Sequence, residues 1–263
     1  CSSDVASNSI TITVNPKPVM ECESNVNNAG WVTQSTCSVT VCAGSHVQLS
    51  VNPNVSTVNW TGPNGFTATG TNDIVVSTSI TSTQAGNYVA TLTDANGCSA
   101  TKTITVVVNP QPTASISGTT TICNGGSTTL TASGGGTYSW NTGVTTAAIT
   151  VNPTTTTTYT VTVTDPATGC SIEKEIRVNV TDLGDLEAIP SETVLCQPDF
   201  VFLTARGAQG ATIRWLDANG QVIFNGRNLS VTPAVGLNLY IVEATLGTCS
   251  KRDTARIRLS DFK

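Results

Sequence analysis

The stretch at residues 158–165, Thr-Tyr-Thr-Val-Thr-Val-Thr-Asp, decides the fold of this chain. Tyrosine and valine alternate with threonine, a period of two that is typical of a half-buried β-strand, and the β-branched side chains favour extended backbone. The aspartate that ends the stretch and Gly169 after it indicate a turn, which leads to Cys170. Upstream, Trp140 lies in another short segment of this kind. The pattern therefore predicts successive strands that carry one large aromatic side chain each.

The same order of cysteine, tryptophan, tyrosine and cysteine occurs three times along the chain. The step from cysteine to tryptophan is 18, 17 and 19 residues, and the step from tyrosine to the closing cysteine is 10, 11 and 9. Self-similarity of this kind indicates an array of like modules. The three sets are Cys42, Trp60, Tyr88 and Cys98; Cys123, Trp140, Tyr159 and Cys170; and Cys196, Trp215, Tyr240 and Cys249.

A tryptophan in an early strand and a tyrosine that opens a late strand are features of the immunoglobulin-like sandwich. In that fold the indole fills the core between two sheets, and the tyrosine hydroxyl bonds to nearby backbone. We therefore expect all six aromatic side chains of the repeated pattern to belong to the cores. The prediction is an all-β chain of tandem immunoglobulin-like β-sandwich modules in an extended array.

Copies of the segment that follows each closing cysteine suggest the module boundaries. Cys1 begins such a copy, so residues 1–17 are expected to be the last strand of a preceding module. Modules are then predicted at 18–110, with an insertion near 21–41, and at 111–181 and 182–263. Cys1 would belong to a module cut from a longer protein; a lipidated N-terminus and an intersubunit bridge are the alternatives.

Composition excludes several classes of function. Only 11% of the residues are charged, against about 25% in ordinary soluble proteins. A net charge of −5 disfavours nucleic acid and anionic membranes as partners, because both attract clustered lysine and arginine. No apolar stretch reaches the roughly 18 residues that a membrane-spanning helix needs, so no membrane insertion is expected.

Nine cysteines and one histidine indicate disulfides in an oxidising, extracellular setting rather than metal sites. The preferred pairing lies within modules, and a further bridge would clamp the insertion. The predicted pairs are Cys42 with Cys98, Cys123 with Cys170, Cys196 with Cys249, and Cys22 with Cys37.

An alternative set of disulfides joins neighbouring modules, Cys42 with Cys170 and Cys123 with Cys249. It follows from a difficulty in the preferred set. In strict immunoglobulin order, the turn before the second strand and the loop before the last strand lie at opposite poles of the sandwich. A disulfide requires Cα atoms within about 7 Å. The sequence leaves both sets open.

Several phrases resemble the Ig-like and PKD-like tandem repeats of giant secreted cell-surface adhesins of Bacteroidota. They are Trp-Thr-Gly-Pro-Asn-Gly-Phe at 60–66, Asp-Ala-Asn-Gly-Cys at 94–98 and Ser-Trp-Asn-Thr-Gly at 139–143. The resemblance covers nearly the whole chain, more weakly from residue 182 onward. It implies export by the type IX secretion route and display on the cell surface, as in gliding-motility adhesins. The Trp-Asp-Phe-Gly-Asp-Gly run of true PKD modules is absent, which favours the Ig-like type.

Few residues are candidates for a site. Trp31 and Phe66 are possible binding aromatics, and Asp253-Thr254-Ala255 resembles an O-glycosylation motif of Bacteroidota, with Thr254 as the acceptor. His46 is expected in a solvated turn, and Asp94, Asp165 and Asp217 are expected to cap Asx turns. Asp182, Asp185 and Glu187 are the nearest approach to a cation site. We expect no catalytic residues, no metal and no cofactor.

The leading functional hypothesis is therefore a non-catalytic structural and adhesive segment of a large extracellular surface protein, a stalk stiffened by disulfides. Its partners would be neighbouring modules, and possible further partners are surface glycans or other cells. One alternative is a subunit of a self-assembling extracellular filament that donates residues 1–17 as a strand to its neighbour. Another is a carbohydrate-binding appendage of a secreted enzyme, which requires an exposed aromatic platform.

Overall fold

The computed structural model describes residues 19–53 and 58–260, and these residues form 24 β-strands and two 3-10 turns. The fold class is all-β, as the alternation of β-branched and polar residues predicts. The predicted donor strand at residues 1–17 and Cys1 lie outside the described residues.

Among the described residues, contacts group the chain into two compact units. One contains the described residues up to Thr113 together with Thr164–Ile172, and the other contains Ala114–Val163 and the described residues from Glu173 onward.

The first sandwich occupies residues 20–109 and consists of two sheets. One sheet has the order β2-β1-β4-β7, and the other has the order β3-β9-β8-β5-β6. The 3-10 turns are Pro63–Gly65 and Ser82–Gln84. The strands are β1 (Met20–Val26), β2 (Val32–Thr33), β3 (Ser38–Cys42), β4 (Val47–Pro53), β5 (Val58–Thr61), β6 (Thr67–Thr69), β7 (Asp73–Ser77), β8 (Gly86–Thr93) and β9 (Ser99–Asn109).

The second sandwich occupies residues 115–181 and is the smallest of the three. Its sheets have the orders β10-β12-β14 and β11-β16-β15-β13. The strands are β10 (Ser115–Ser117), β11 (Thr121–Cys123), β12 (Thr128–Ser133), β13 (Thr137–Trp140), β14 (Ala148–Val151), β15 (Thr157–Thr164) and β16 (Ser171–Thr181). The stretch that decides the fold thus forms β15, a central strand of its sheet.

The third sandwich occupies residues 186–259. Its sheets have the orders β17-β19-β22 and β18-β24-β23-β20-β21. The strands are β17 (Leu186–Ile189), β18 (Glu192–Leu195), β19 (Val201–Gly207), β20 (Thr212–Leu216), β21 (Val222–Asn225), β22 (Asn228–Val231), β23 (Gly236–Leu246) and β24 (Cys249–Leu259).

All three sandwiches share one strand order, which is that of the immunoglobulin fold. The chain starts in one sheet, crosses to the other in a short strand, and that crossing strand pairs in parallel with the last strand. The parallel pairs are β3 with β9, β11 with β16, and β18 with β24. In each pair, the end of the crossing strand lies beside the end of the last strand. We call β3, β11 and β18 the crossing strands below.

The repeated aromatic side chains lie where the two sheets face each other. The indoles are almost fully buried at Trp60, Trp140 and Trp215. Tyr88 and Tyr159 are buried, and Tyr240 is half-buried against the third core. Burial raises the pKa of all three tyrosine hydroxyls. The Tyr88 hydroxyl donates to the Gln84 carbonyl at 3.0 Å, which is the local backbone tie of a tyrosine corner.

The insertion in the first sandwich is shorter than the sequence suggests. Residues 21–41 are not all inserted, because β1 and β3 within them are regular strands that have counterparts in the other two sandwiches. The extra residues are 27–37, which form the β1–β2 hairpin and the turn into β3. The corresponding connection is three residues long in the second sandwich and two in the third. The spacing of the repeats indicated where the insertion lies, but not which of residues 21–41 are inserted and which belong to regular strands.

One charged side chain is buried in the third sandwich. Glu243 in β23 is 3% exposed, and its cross-strand neighbours are Arg214 in β20 and Arg252 in β24. Both arginines donate hydrogen bonds to the carboxylate, Arg252 at 2.7 Å. Burial alone would raise the pKa of Glu243, but these hydrogen bonds and the two positive charges outweigh it and hold the pKa below its ordinary value.

Candidate functional site

The first candidate site is a disulfide between Cys42 and Cys170, with a Cα–Cα distance of 5.5 Å. Cys42 ends the crossing strand β3 and pairs with Asn109 at the end of β9. Cys170 immediately precedes the last strand of the second sandwich, and it belongs to the same compact unit as Cys42. The bond therefore joins the end of one crossing strand to the turn before the last strand of the following sandwich. We call this arrangement a clasp.

The second clasp repeats the first, 81 residues further along the crossing strands. Cys123 ends β11 and pairs with Thr181 at the end of β16. Its disulfide partner is Cys249, the first residue of β24, at a Cα–Cα distance of 5.5 Å. In both clasps, the cysteine at the start of the last strand is buried, Cys170 at 1% exposure and Cys249 at 2%, whereas its partner is half-buried. Two independent clasps of one geometry make this a repeated design feature.

Aspartate side chains build the turns that precede Cys98 and Cys170. The Asp94 carboxylate accepts from the backbone nitrogens of Asn96 and Cys98. Asp165 accepts from the backbone of Ala167 and the hydroxyl of Thr168, and these bonds lower its pKa. Asp217 also caps its own turn. The expected Asx turns are therefore confirmed at all three aspartates, and two of them fix the backbone just before a cysteine.

The preferred pairing within modules, Cys42 with Cys98, Cys123 with Cys170 and Cys196 with Cys249, is wrong. Cys98 immediately precedes β9, whereas Cys42 lies opposite Asn109 at the other end of that strand. Eleven residues in a strand, at about 3.3 Å each, separate the two positions by roughly 36 Å, far beyond the reach of a disulfide. The last strands β16 and β24 impose the same separation in the other two sandwiches. The alternative pairing between neighbours is the one observed.

Two further cysteines, Cys98 and Cys196, have no disulfide partner among the described residues. Cys98 is half-buried and Cys196 is exposed. A separate disulfide joins Cys22 and Cys37 over 15 residues, at a Cα–Cα distance of 5.4 Å. It ties the extra residues 27–37 to β1, as predicted for a bridge that clamps the insertion.

The two predicted binding aromatics lie in different environments. Trp31 is 42% exposed beside β2 and lines a shallow groove with Glu23, Ser50 and Asp73. Phe66 is half-buried and packs edge-on against Tyr88, with 5.5 Å between the ring centroids. Phe66 is therefore part of the first core rather than an exposed contact residue, whereas Trp31 remains accessible.

Sequence reasoning missed the exposed phenylalanines of the third sandwich. Phe202 in β19 is 75% exposed, and Phe200 just before this strand is 68% exposed. The signal was present in the alternation Phe200-Val201-Phe202-Leu203, because Val201 and Leu203 are buried and the period of two places the phenylalanines on the outer face. Val222, Ile223 and Phe224 of the edge strand β21 are also exposed.

The sequence context of His46 predicts a solvated turn, but the structure does not place this residue in a fully solvated position. It is half-buried before β4, and its backbone nitrogen donates to the Asn27 side chain at 2.9 Å. Its Nε2 atom is buried and has no hydrogen-bond partner among the described residues. Asn27, one of the extra residues 27–37 of the first sandwich, also donates its backbone N–H to the His46 carbonyl at 2.9 Å.

The remaining candidate sites are Thr254 and the acidic residues Asp182, Asp185 and Glu187. Thr254 is half-buried in the middle of β24 opposite Ile241, and its glycosylation stays a prediction. The Asp182 carboxylate accepts from Gly184, and Asp185 lies 3.6 Å from the Lys251 ammonium. Within 19–53 and 58–260, no group of three or more histidine, cysteine, aspartate or glutamate side chains is placed to hold a metal ion.

No helix in the described part of the chain is long and apolar enough to cross a membrane.

No protein-family model and no curated protein matches this chain. Solved structures of multidomain fragments are among the matches to this chain. Domains 3–5 of the extracellular part of Drosophila OTK share 12% identity, cover 85% of this chain and 94% of their own, and give a TM-score of 0.37.

Two other solved structures cover more of the chain. The three N-terminal domains of the Highly Immunogenic Outer Capsid protein of bacteriophage RB49 share 14% identity over 94% of this chain and 100% of their own, with a TM-score of 0.38. The I-band fragment I67–I69 of titin shares 12% identity over 94% and 100%, with a TM-score of 0.39. Matches with TM-scores this low carry no argument, and the strand order carries the assignment as tandem immunoglobulin-like sandwiches.

Proposed function

We propose that this chain is a non-catalytic, load-bearing segment of a large extracellular surface protein, a stalk whose successive modules are held together by disulfide clasps. The observation that carries the proposal is the pair of clasps, each of which runs from one crossing strand to the following sandwich. We place the modules at 18–110, 111–181 and 182–263, since strands pair only within these ranges in the described part of the chain.

The parallel pairing of crossing strand and last strand supports resistance to tension. In each sandwich, the crossing strand lies near the start of the module and the last strand lies at its end. Because these strands are parallel, as β3 and β9 are, tension on the two chain ends slides one strand along the other. All the hydrogen bonds between them are then loaded together instead of breaking one after another.

The clasps add a covalent route for tension along the chain. Tension that reaches Cys42 passes through the disulfide to Cys170, so the chain between Cys42 and Cys123 cannot be fully extended while both clasps are closed. The loop of the second clasp, from Cys123 to Cys249, overlaps the first loop. Disulfides are also typical of proteins outside the cell, which supports the extracellular setting. Export through the type IX route and display as an adhesin of Bacteroidota follow only from the sequence resemblance and are part of this proposal.

Single-molecule pulling tests the load-bearing role. With the clasps closed, tension between the chain ends can stretch only the residues outside the two overlapping loops and the stretch that the loops share. Reduction should therefore lengthen the fully extended chain by on the order of 500 Å, at about 3.3–3.6 Å per released residue. The double variant C42S/C170S should show an intermediate length without reductant, and C22S/C37S is the matched control. Equal lengths with and without reductant would reject the proposal.

A glycan-binding appendage is the second candidate function, and the exposed aromatic side chains favour it. Trp31 lines a groove on the first sandwich, and Phe200 and Phe202 lie exposed on the third. Calorimetric titration with a panel of soluble polysaccharides should detect binding that W31A or F202A abolishes while the thermal stability is unchanged. Binding that survives both substitutions would argue against these residues as the platform.

A further inference from the structure

The extra hairpin of the first sandwich holds one exposed tryptophan on a firm support. The Cys22–Cys37 disulfide fixes the end of residues 27–37 to β1. Gln34 ties the hairpin to the same strand a second time, because its backbone N–H donates to the Cys22 carbonyl at 2.7 Å. Trp31 lies in this hairpin, is 42% exposed and does not belong to the first core. A rigid element that only this sandwich has therefore carries an aromatic side chain that the core does not use.

Trp31 lines a groove on the sheet that has the order β2-β1-β4-β7. We call it the Trp31 groove, and its lining residues are Glu23, Trp31, Ser50, Val51, Asn72 and Asp73. Its volume is about 270 Å³, slightly below the range of about 300–1,000 Å³ that is usual for small-molecule sites. The groove is therefore large enough for one small unit, such as a single sugar ring.

A row of three paired residues forms the floor of the groove. Glu23 in β1 pairs with Ser50 in β4, and Ser50 pairs with Asp73 in β7. Leu49 and Val51 on either side of Ser50 are buried in the core, so the period of two turns Ser50 to the outer face. Ser50 is nevertheless only 4% exposed, and its hydroxyl donates to the Asp73 carboxylate at 2.5 Å. The row thus places one carboxylate on each side of a covered serine.

The groove is negative, and its sheet contains no cationic side chain among the described residues. Neither Glu23 nor Asp73 forms an ion pair within the described part of the chain. Lys102 is the only lysine or arginine among the described residues of the first sandwich, and it lies in β9 of the other sheet. Trp31 adds the negative face of its ring, which also attracts a cation. These groups fit a ligand that carries a positive charge beside an apolar ring face.

The spacing across the row leaves room for an ammonium group between the two carboxylates. Strands β1 and β7 both pair with β4, so their backbones lie roughly 9.5 Å apart, at twice the usual strand spacing. Two acidic side chains that extend towards each other leave space for one nitrogen, with a charge-assisted hydrogen bond of about 2.7–2.9 Å on each side. The hydrogen bond from Ser50 already holds the Asp73 carboxylate towards the middle of the row.

We propose that the Trp31 groove binds an amino sugar residue of a polysaccharide. The apolar face of the sugar ring packs on the Trp31 indole, and the protonated amine donates to Glu23 and Asp73. Asn72 is exposed in the same groove and supplies an amide for a sugar hydroxyl. The inference rests on the glycan-binding role, which is the second candidate function, and it adds the class of sugar and the groups that select it.

Three oligosaccharides of one backbone test the proposal. The β-1,4-linked tetramers of glucosamine, glucose and N-acetylglucosamine share their ring and linkage, and they differ in an ammonium, a hydroxyl or an acetamide at the second carbon. Calorimetric titration of the full chain, at low salt and at a pH that protonates the amine, measures their affinities. We expect the glucosamine tetramer to bind about three- to tenfold more tightly than the two neutral tetramers, which is the size expected of two exposed ion pairs. This preference should shrink as salt is added.

Substitutions separate the charge of the groove from its aromatic side chain. The double variant E23Q/D73N keeps the shape of the groove and should bind the glucosamine and glucose tetramers alike. W31A should weaken the binding of all three tetramers. The matched control is E21Q, which removes a carboxylate from the same face of β1, one row outside the groove, and should keep the preference. Thermal melts establish that each variant is folded. A preference that survives in E23Q/D73N, or that E21Q removes equally, would overturn the proposal.

The outcomes also separate this inference from the glycan-binding role on which it rests. Equal affinities for the three tetramers, with binding lost in W31A, would keep a glycan-binding appendage and overturn the choice of an amino sugar. Binding that depends on Phe202 and not on Trp31 would likewise keep the appendage and remove the Trp31 groove from it. Tetralysine that binds as tightly as the glucosamine tetramer and also requires Trp31 would indicate a cationic peptide as the partner and overturn the proposal.

Discussion

The first and third sandwiches share one strand order but stabilise their buried polar groups differently. In the first, the Trp60 indole nitrogen donates to the Thr71 carbonyl at 3.1 Å. In the third, the Trp215 indole nitrogen is buried and has no partner among the described residues. Within those residues, only the third sandwich buries a carboxylate, that of Glu243. The same strand order is thus compatible with different buried polar contacts in the two sandwiches.

The largest difference between the two sandwiches should appear when the partners of Glu243 are removed. The double variant R214M/R252M keeps aliphatic cover over the carboxylate but leaves it buried without a positive charge. We expect a loss of about 3 kcal/mol in the free energy of unfolding, because a buried charge without its partner is costly. Denaturant unfolding at neutral pH, followed by tryptophan fluorescence, measures it.

Two further variants show whether the charge is responsible for this loss. E243Q leaves a neutral group in place of the carboxylate. Both arginines are half-exposed, at 42% and 58%, and can turn towards water. The E243Q variant should therefore lose only about 1–2 kcal/mol in the free energy of unfolding. The triple variant R214M/R252M/E243M should recover part of the stability of the double variant. A double variant no less stable than E243Q would contradict the account.

The tryptophans offer a smaller test of the same comparison. W60F and W215F remove similar volume from the two cores, but W60F also leaves the Thr71 carbonyl without its donor. We therefore expect W60F to cost about 1 kcal/mol more than W215F. Hydrogen exchange of the amides in β5 and β20 reports the stability of each sandwich separately. Equal losses would mean that the indole hydrogen bond contributes nothing measurable.

The smallest expected effect is on pH dependence, because solvent screens the half-exposed arginines. The pKa of Glu243 is lower in the folded protein than its unfolded value, so its contribution is fully present above the unfolded pKa and disappears as pH falls through the folded pKa. Between pH 7 and pH 3, the wild-type third sandwich should therefore lose more stability than the E243Q variant does. Thermal melts across this range measure the difference, and parallel curves for the two proteins would contradict it.

The sequence was sufficient to predict the fold class and much of the local structure, for physical reasons that individual residues show. Period-two alternation specifies strands such as β15, and Asp94 and Asp165 make turns through bonds to their own backbone. These are local effects. The partners of Cys42 and Cys123 were left open, because both pairings use equivalent positions of the repeat and only the length of the last strand separates them in space.

The partners of Glu243 show the same limit more sharply. A glutamate in the run Ile241-Val242-Glu243-Ala244 is visible in the sequence, but Arg214 is 29 residues away. Both arginines reach Glu243 only because of the register in which β23 pairs with β20 and with β24. Likewise, the exposure of Phe202 was readable from alternation, whereas the burial of Phe66 depends on the ring of Tyr88.

The overlap of the two clasp loops has a consequence for resistance to proteolysis. Every peptide bond between Cys42 and Cys249 lies inside at least one loop. A single nick anywhere in that stretch, including the proline-rich connection after Asn109, leaves both fragments covalently attached. The two fragments separate only after a second cleavage or after reduction of the disulfides. A single cut in the backbone therefore does not release the part of the chain that follows it.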